Sequence, residues 1–89
     1  MTLDEMHSYL VTHRLLPEKF AWSLISRKLF YGSALIPDPL AETILIALLH
    51  EHLRSLDWMI TETRYNCSYH HDELGLHESL GSALEASQW

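Results

Sequence analysis

The apolar positions of this 89-residue chain recur mostly at helical intervals. Leu3, Met6 and Leu10 fall three and four apart, and Val11 and Leu15 widen the stripe. That spacing predicts a first helix over residues 3–15. Thr2 and Glu5 stand in the capping-box relation, in which each side chain satisfies a free backbone N–H of the first turn. Pro17 ends this helix or opens a second, expected over residues 17–31 with Gly32 as its stop. Lys19, Ser23, Ser26 and Arg27 make one narrow polar stripe there, while Phe20, Ala21, Trp22, Leu24, Ile25, Leu29, Phe30 and Tyr31 are apolar. A helix so patterned is buried on more than one side. The stretch 28–36 around Gly32 also reads as a short hairpin.

Asp38-Pro39 reads as an N-cap followed by proline at the first helical position, and no Gly or Pro follows until Gly75. A third helix is predicted over residues 39–66, about 40 Å long. Ile46, Leu49, Leu53, Leu56, Ile60, Thr63 and Cys67 alternate steps of three and four, a heptad-like seam along one edge. On the opposite edge Trp58, Glu62, Tyr65 and Tyr69 step by four, three and four, with Arg54 one turn before Trp58. Leu76, Leu80, Ala83 and Leu84 suggest a fourth helix, weakened by Gly75 and Gly81. The expected fold is all-α: one domain over residues 1–89, a bundle of about four helices with the long third helix as its spine. Short neighbours leave part of such a rod uncovered, which favours a homodimer.

Composition supports that reading, since the chain is 47% hydrophobic with only three Gly and three Pro. Charge adds a polarity. Residues 1–36 carry a net +1 and residues 37–89 a net −7, with no Lys or Arg after Arg64. A surface of that sign repels phosphates, which argues against nucleic acid and suits a basic protein partner. The start MTLDEM is acidic and leads into no long apolar stretch, so no signal peptide is expected. The longest apolar run, residues 44–49, is far short of the ~20 residues a membrane span needs. A cytoplasmic protein without membrane attachment is expected, and the lone Cys67 excludes an internal disulfide.

Seven histidines raise the question of metal. His50-Glu51-His52 on a helix places its rings about 200° apart, so they cannot share an ion. Cys67, His70 and His71 would share one helical face, and thiolate with imidazole suits zinc. Protonating every histidine would take the formal charge from −6 to +1, so a pH-dependent interaction is a further possibility. No Gly-rich phosphate loop, serine-hydrolase elbow or zinc-protease spacing is present, so neither enzyme activity nor a cofactor is expected.

Aromatics beside arginine are the composition enriched at protein interfaces. Arg54, Trp58, Glu62, Tyr65 and Tyr69 are therefore the candidate partner-binding residues, with the acidic C-terminal third as the alternative surface. The expected function is a non-enzymatic interaction module: a small acidic adaptor, regulator or stoichiometric inhibitor of a larger protein. Small acidic proteins without catalytic motifs are often encoded by phages and mobile elements, an expectation from the class and from no residue here. The alternative is a zinc-binding regulator using Cys67, His70 and His71.

Overall fold

A computed structural model describes residues 1–88 of the chain. Helix α1 spans Leu3–Thr12, and its capping box is formed: Thr2 accepts from the Glu5 amide, and Glu5 accepts from the Thr2 amide. The helix then stops sooner than its apolar stripe suggests. Arg14 enters the left-handed region at φ +57°, the Leu15 amide reaches back to the Leu10 carbonyl (2.7 Å), and the Arg14 amide bonds that of Val11 (3.1 Å). This is a Schellman stop built on arginine instead of glycine.

Residues 20–36 form no helix. β1 (Phe20–Ser23), β2 (Lys28–Tyr31) and β3 (Ala34–Ile36) make an antiparallel meander, with β2 in the middle. Trp22, Leu29 and Ile36 lie in one cross-strand row, and Leu29 and Ile36 are buried. The two-residue loop Gly32-Ser33 needs a positive φ at its first position, and Gly32 supplies +61°. The hairpin reading of residues 28–36 is the one the chain adopts.

Helix α2 runs Asp38–Ser55, beginning within one residue of the expected start. Ala41, Leu45, Leu49 and Leu53 are fully buried along it, at steps of four. Here the expected 39–66 rod is overturned. Asp57 turns left-handed (φ +70°), the Trp58 amide bonds the Leu53 carbonyl and the Asp57 amide that of Arg54, both at 3.1 Å. A second Schellman stop without glycine thus ends the helix eleven residues early.

The chain continues as a second meander: β4 (Met59–Glu62), β5 (Cys67–His71) and β6 (Gly75–His77), with β5 central. Ile60, Tyr69 and His77 pair across it on one face, and Met59, His70 and Leu76 on the other. Helix α3 (Leu80–Ala86) is capped by Ser79, whose side chain accepts from the Ser82 amide, and it buries Ala83 and Leu84. The fold is therefore mixed α/β, with three helices and two three-stranded antiparallel sheets among the described residues. The all-α helical bundle is excluded.

Contacts group the chain into two compact units, Thr2–Leu49 and the segment from His50 onward together with Met1. Each contains a three-stranded meander, and the division falls within α2, between Leu49 and His50, so that its last residues precede the second meander. Among the described residues no helix is long and apolar enough to cross a membrane.

Candidate functional site

Because residues 59–77 are strands, the side chains with chemical potential are arranged by pairing and not by helical turn. Trp58 follows the α2 stop directly and is 3% exposed. Its indole N–H donates to the Ser87 hydroxyl (2.8 Å), which in turn donates to the Ala83 carbonyl. The His71 and His77 rings lie 5.2 and 5.4 Å from the indole, both at inclined angles. Buried tryptophan usually satisfies its N–H in this way, and here the bond ties the end of α2 to α3.

Two open clefts flank this indole. The first, about 480 Å³, is lined by Asp57, Trp58, Met59, His71, Asp72 and Glu73. The second, about 240 Å³, is lined by Leu56, Trp58, His71, Glu73, Leu74 and Ser87. Trp58, His71 and Glu73 belong to both, so the clefts adjoin. The first carries Asp57, Asp72 and Glu73, the second adds Leu56 and Leu74 beside Trp58, His71, Glu73 and Ser87, and neither is lined by Lys or Arg.

The turn carrying Asp72 and Glu73 is held by His71, whose Nδ1 accepts from the amides of Glu73 (3.1 Å) and Leu74 (3.2 Å). Accepting both bonds requires an unprotonated Nδ1. His77 closes the other end of the turn, with Nε2 3.0 Å from the Leu74 carbonyl and Nδ1 2.6 Å from the Ser82 hydroxyl.

A second polar group lies within the same unit. His50, 3% exposed, has Nε2 2.8 Å from the Tyr69 hydroxyl and Nδ1 3.3 Å from a Glu62 carboxylate oxygen. A carboxylate only accepts, so Nδ1 carries the proton and Nε2 accepts from tyrosine. Burial lowers the His50 pKa, Glu62 partly offsets this, and Arg54 adds to the lowering. Burial raises the Tyr69 pKa well above the ordinary phenol value, and Cys67 and Glu62 raise it further. Both groups stay neutral near pH 7, and the trio serves as a satisfied polar tie between α2, β4 and β5.

The expected binding residues are thus separated. Glu62 and Tyr69 belong to the His50 network, with Tyr69 buried. Trp58 lines both clefts. Tyr65 stands 89% exposed in the β4–β5 loop, and Arg54 is exposed on the last turn of α2. Strand alternation places Cys67 and His71 on one sheet face and His70 on the other, so the expected helical face of three ligands does not form. No group of three His, Cys, Asp or Glu side chains able to hold a metal occurs among the described residues. Sequence reasoning did not single out Asp57, and it reached Asp72 and Glu73 only as part of the acidic C-terminal third.

The first unit carries a different exposed feature. The four-residue loop joining β1 and β2 presents Leu24 at 85% and Ile25 at 99% exposure. The loop is ordered: the Arg27 amide bonds the Ser23 carbonyl (2.8 Å), the Ser26 amide bonds the Ser23 hydroxyl (3.2 Å), and Arg27 is left-handed at φ +54°. Fully burying an aliphatic side chain of this size is worth ~1.5–3 kcal/mol, a gain left unclaimed at both positions.

No family model matches the chain, and neither does any curated protein or solved structure.

Proposed function

We propose that this protein is a non-enzymatic, cytoplasmic interaction module, an adaptor, regulator or stoichiometric inhibitor that binds a larger protein through the paired clefts around Trp58. One observation carries the reading: Asp57, Asp72 and Glu73 gather at a cleft that adjoins a second one bearing Leu56 and Leu74, with Trp58, His71 and Glu73 common to both. The occupant that suits both is a protein segment bearing Lys or Arg beside an aliphatic side chain. The carboxylates attract the cation and steer its approach, while Leu56 and Leu74 offer apolar cover. Exposed ion pairs contribute only ~0.2–1 kcal/mol each, so specificity comes from meeting both clefts at once.

The test is a titration of isotope-labelled protein followed by amide shifts, using two capped tetrapeptides, Arg-Leu-Arg-Leu and Glu-Leu-Glu-Leu. The basic peptide is expected to move amides of residues 56–59 and 71–74, with an affinity that falls as salt is raised. The acidic peptide is expected to move none of them. Equal responses to both peptides, or shifts confined to other residues, would remove the clefts as the binding surface.

A further inference from the structure

The aliphatic-plus-cation chemistry that suits the clefts is present on the chain itself. The loop between β1 and β2 offers Leu24 and Ile25 almost fully to solvent, with Arg27 two positions on and Lys28 beginning the next strand. Its backbone is fixed by the Ser23 bonds, so the two side chains are displayed on an ordered turn and lose little freedom on docking. Arg27 lies 3.5 Å from Asp4, with both side chains more than half exposed, a pairing weak enough to exchange for another carboxylate.

We infer that the Leu24–Arg27 turn of one molecule docks into the Trp58 clefts of a second copy. Ile25 and Leu24 meet Leu56 and Leu74, and Arg27 meets Asp57, Asp72 or Glu73. This rests on the clefts being a binding surface, as proposed above, and names a second copy of the chain as an occupant. The contact joins unlike surfaces, so each molecule contributes a turn to one neighbour and a cleft to another. It follows that a basic external segment competes with self-association, and a free cleft is exposed only when the turn of the other copy leaves.

The experiment is sedimentation of two variants, alone and mixed. One chain has a disabled turn, Ile25→Ser with Arg27→Glu, and the other a disabled cleft, Asp72→Lys with Glu73→Lys. Wild-type protein is expected to self-associate reversibly below about 0.5 mM. Each variant alone should associate at least tenfold more weakly, since the first loses the arginine anchor and a buried aliphatic side chain and the second loses the carboxylates that meet it. Mixed together, they should recover one-to-one dimers, because one supplies an intact cleft and the other an intact turn.

Far-UV circular dichroism checks that each variant folds, and Asp72→Asn with Glu73→Gln replaces the second pair if it does not. A mixture that stays monomeric, or a wild-type chain monomeric throughout that range, overturns the inference. If the wild type is monomeric but the basic peptide still shifts residues 56–59 and 71–74, only self-docking is lost. Failure of the peptide as well removes the clefts themselves.

Discussion

The two units are built on the same plan and use it in opposite ways. Both contain a helix ended by a left-handed residue that is not glycine, Arg14 in one and Asp57 in the other, with a three-stranded meander next. Both join their first two strands by four-residue loops. In Thr2–Leu49 that loop is Leu24-Ile25-Ser26-Arg27, with its aliphatic side chains in water. In the second unit it is Thr63-Arg64-Tyr65-Asn66, closed on itself by the Thr63 hydroxyl, which bonds both the carbonyl and the side chain of Asn66. The first unit is close to neutral, at net −1 over residues 2–49, whereas residues 50–89 carry −5 and five of the seven histidines. The same backbone arrangement thus yields an aliphatic prong in one unit and an acidic, imidazole-braced pair of clefts in the other. Side-chain chemistry at the turns, and not the order of elements, separates their roles.

The largest expected difference lies in the two internal tryptophans. Trp58 is buried, bonded to Ser87 and flanked by two imidazoles, so Trp58→Ala should cost about 3–5 kcal/mol in denaturant unfolding. Trp22 is half-buried and stacks on His7 at 5.2 Å, so Trp22→Ala should cost about 1–2 kcal/mol. Equal losses would erase the contrast between the units.

Next is the His50 network of the second unit. Tyr69→Phe leaves the buried His50 Nε2 without its donor and should cost about 1–3 kcal/mol. A smaller effect is expected from Ser79→Ala, which removes the cap of α3 and should cost about 1 kcal/mol.

Acid should weaken both units. Burial lowers the pKa of His50 and of His7, so each binds its proton less readily when folded than in the unfolded chain. Their stabilising contribution is present above the unfolded imidazole value of about 6.5 and is lost as pH falls through the lowered folded values. Glu62→Gln sharpens the comparison: without the carboxylate the His50 pKa should fall further while that of His7 stays unchanged. Imidazole resonances followed through an NMR titration read both directly.

The helices were legible where local chemistry was complete. The capping box of Thr2 and Glu5, the start of α2 near Asp38 and the Ala83-Leu84 face of α3 all follow from residue type and spacing. The helix ends were not. A Schellman stop on Arg14 or Asp57 carries no glycine to announce it, and the apolar spacing continues past both. Beyond Leu53 the apparent seam of Leu56, Ile60, Thr63 and Cys67 is a coincidence of spacing across a turn, strand β4, a loop and strand β5. The strands are three to five residues long, and those of the second sheet contain only Ile60 and Thr61 as β-branched residues. Strands that short give no alternation long enough to outweigh a helical pattern. The candidate site inherits the error. Trp58 was identified from its aromatic character, but the carboxylates beside it are brought together only by the β4–β5–β6 register.

The paired clefts depend on residues 59–77 being a sheet, because that pairing places Asp72 and Glu73 beside Asp57 and Trp58. Backbone proton–proton distances measured by NMR in the free protein test this most directly. Cross-strand contacts linking Ile60 with Tyr69, and Tyr69 with His77, are the predicted result. Consecutive amide–amide contacts running unbroken from Ser55 through Tyr69, the signature of a continued helix, would contradict it.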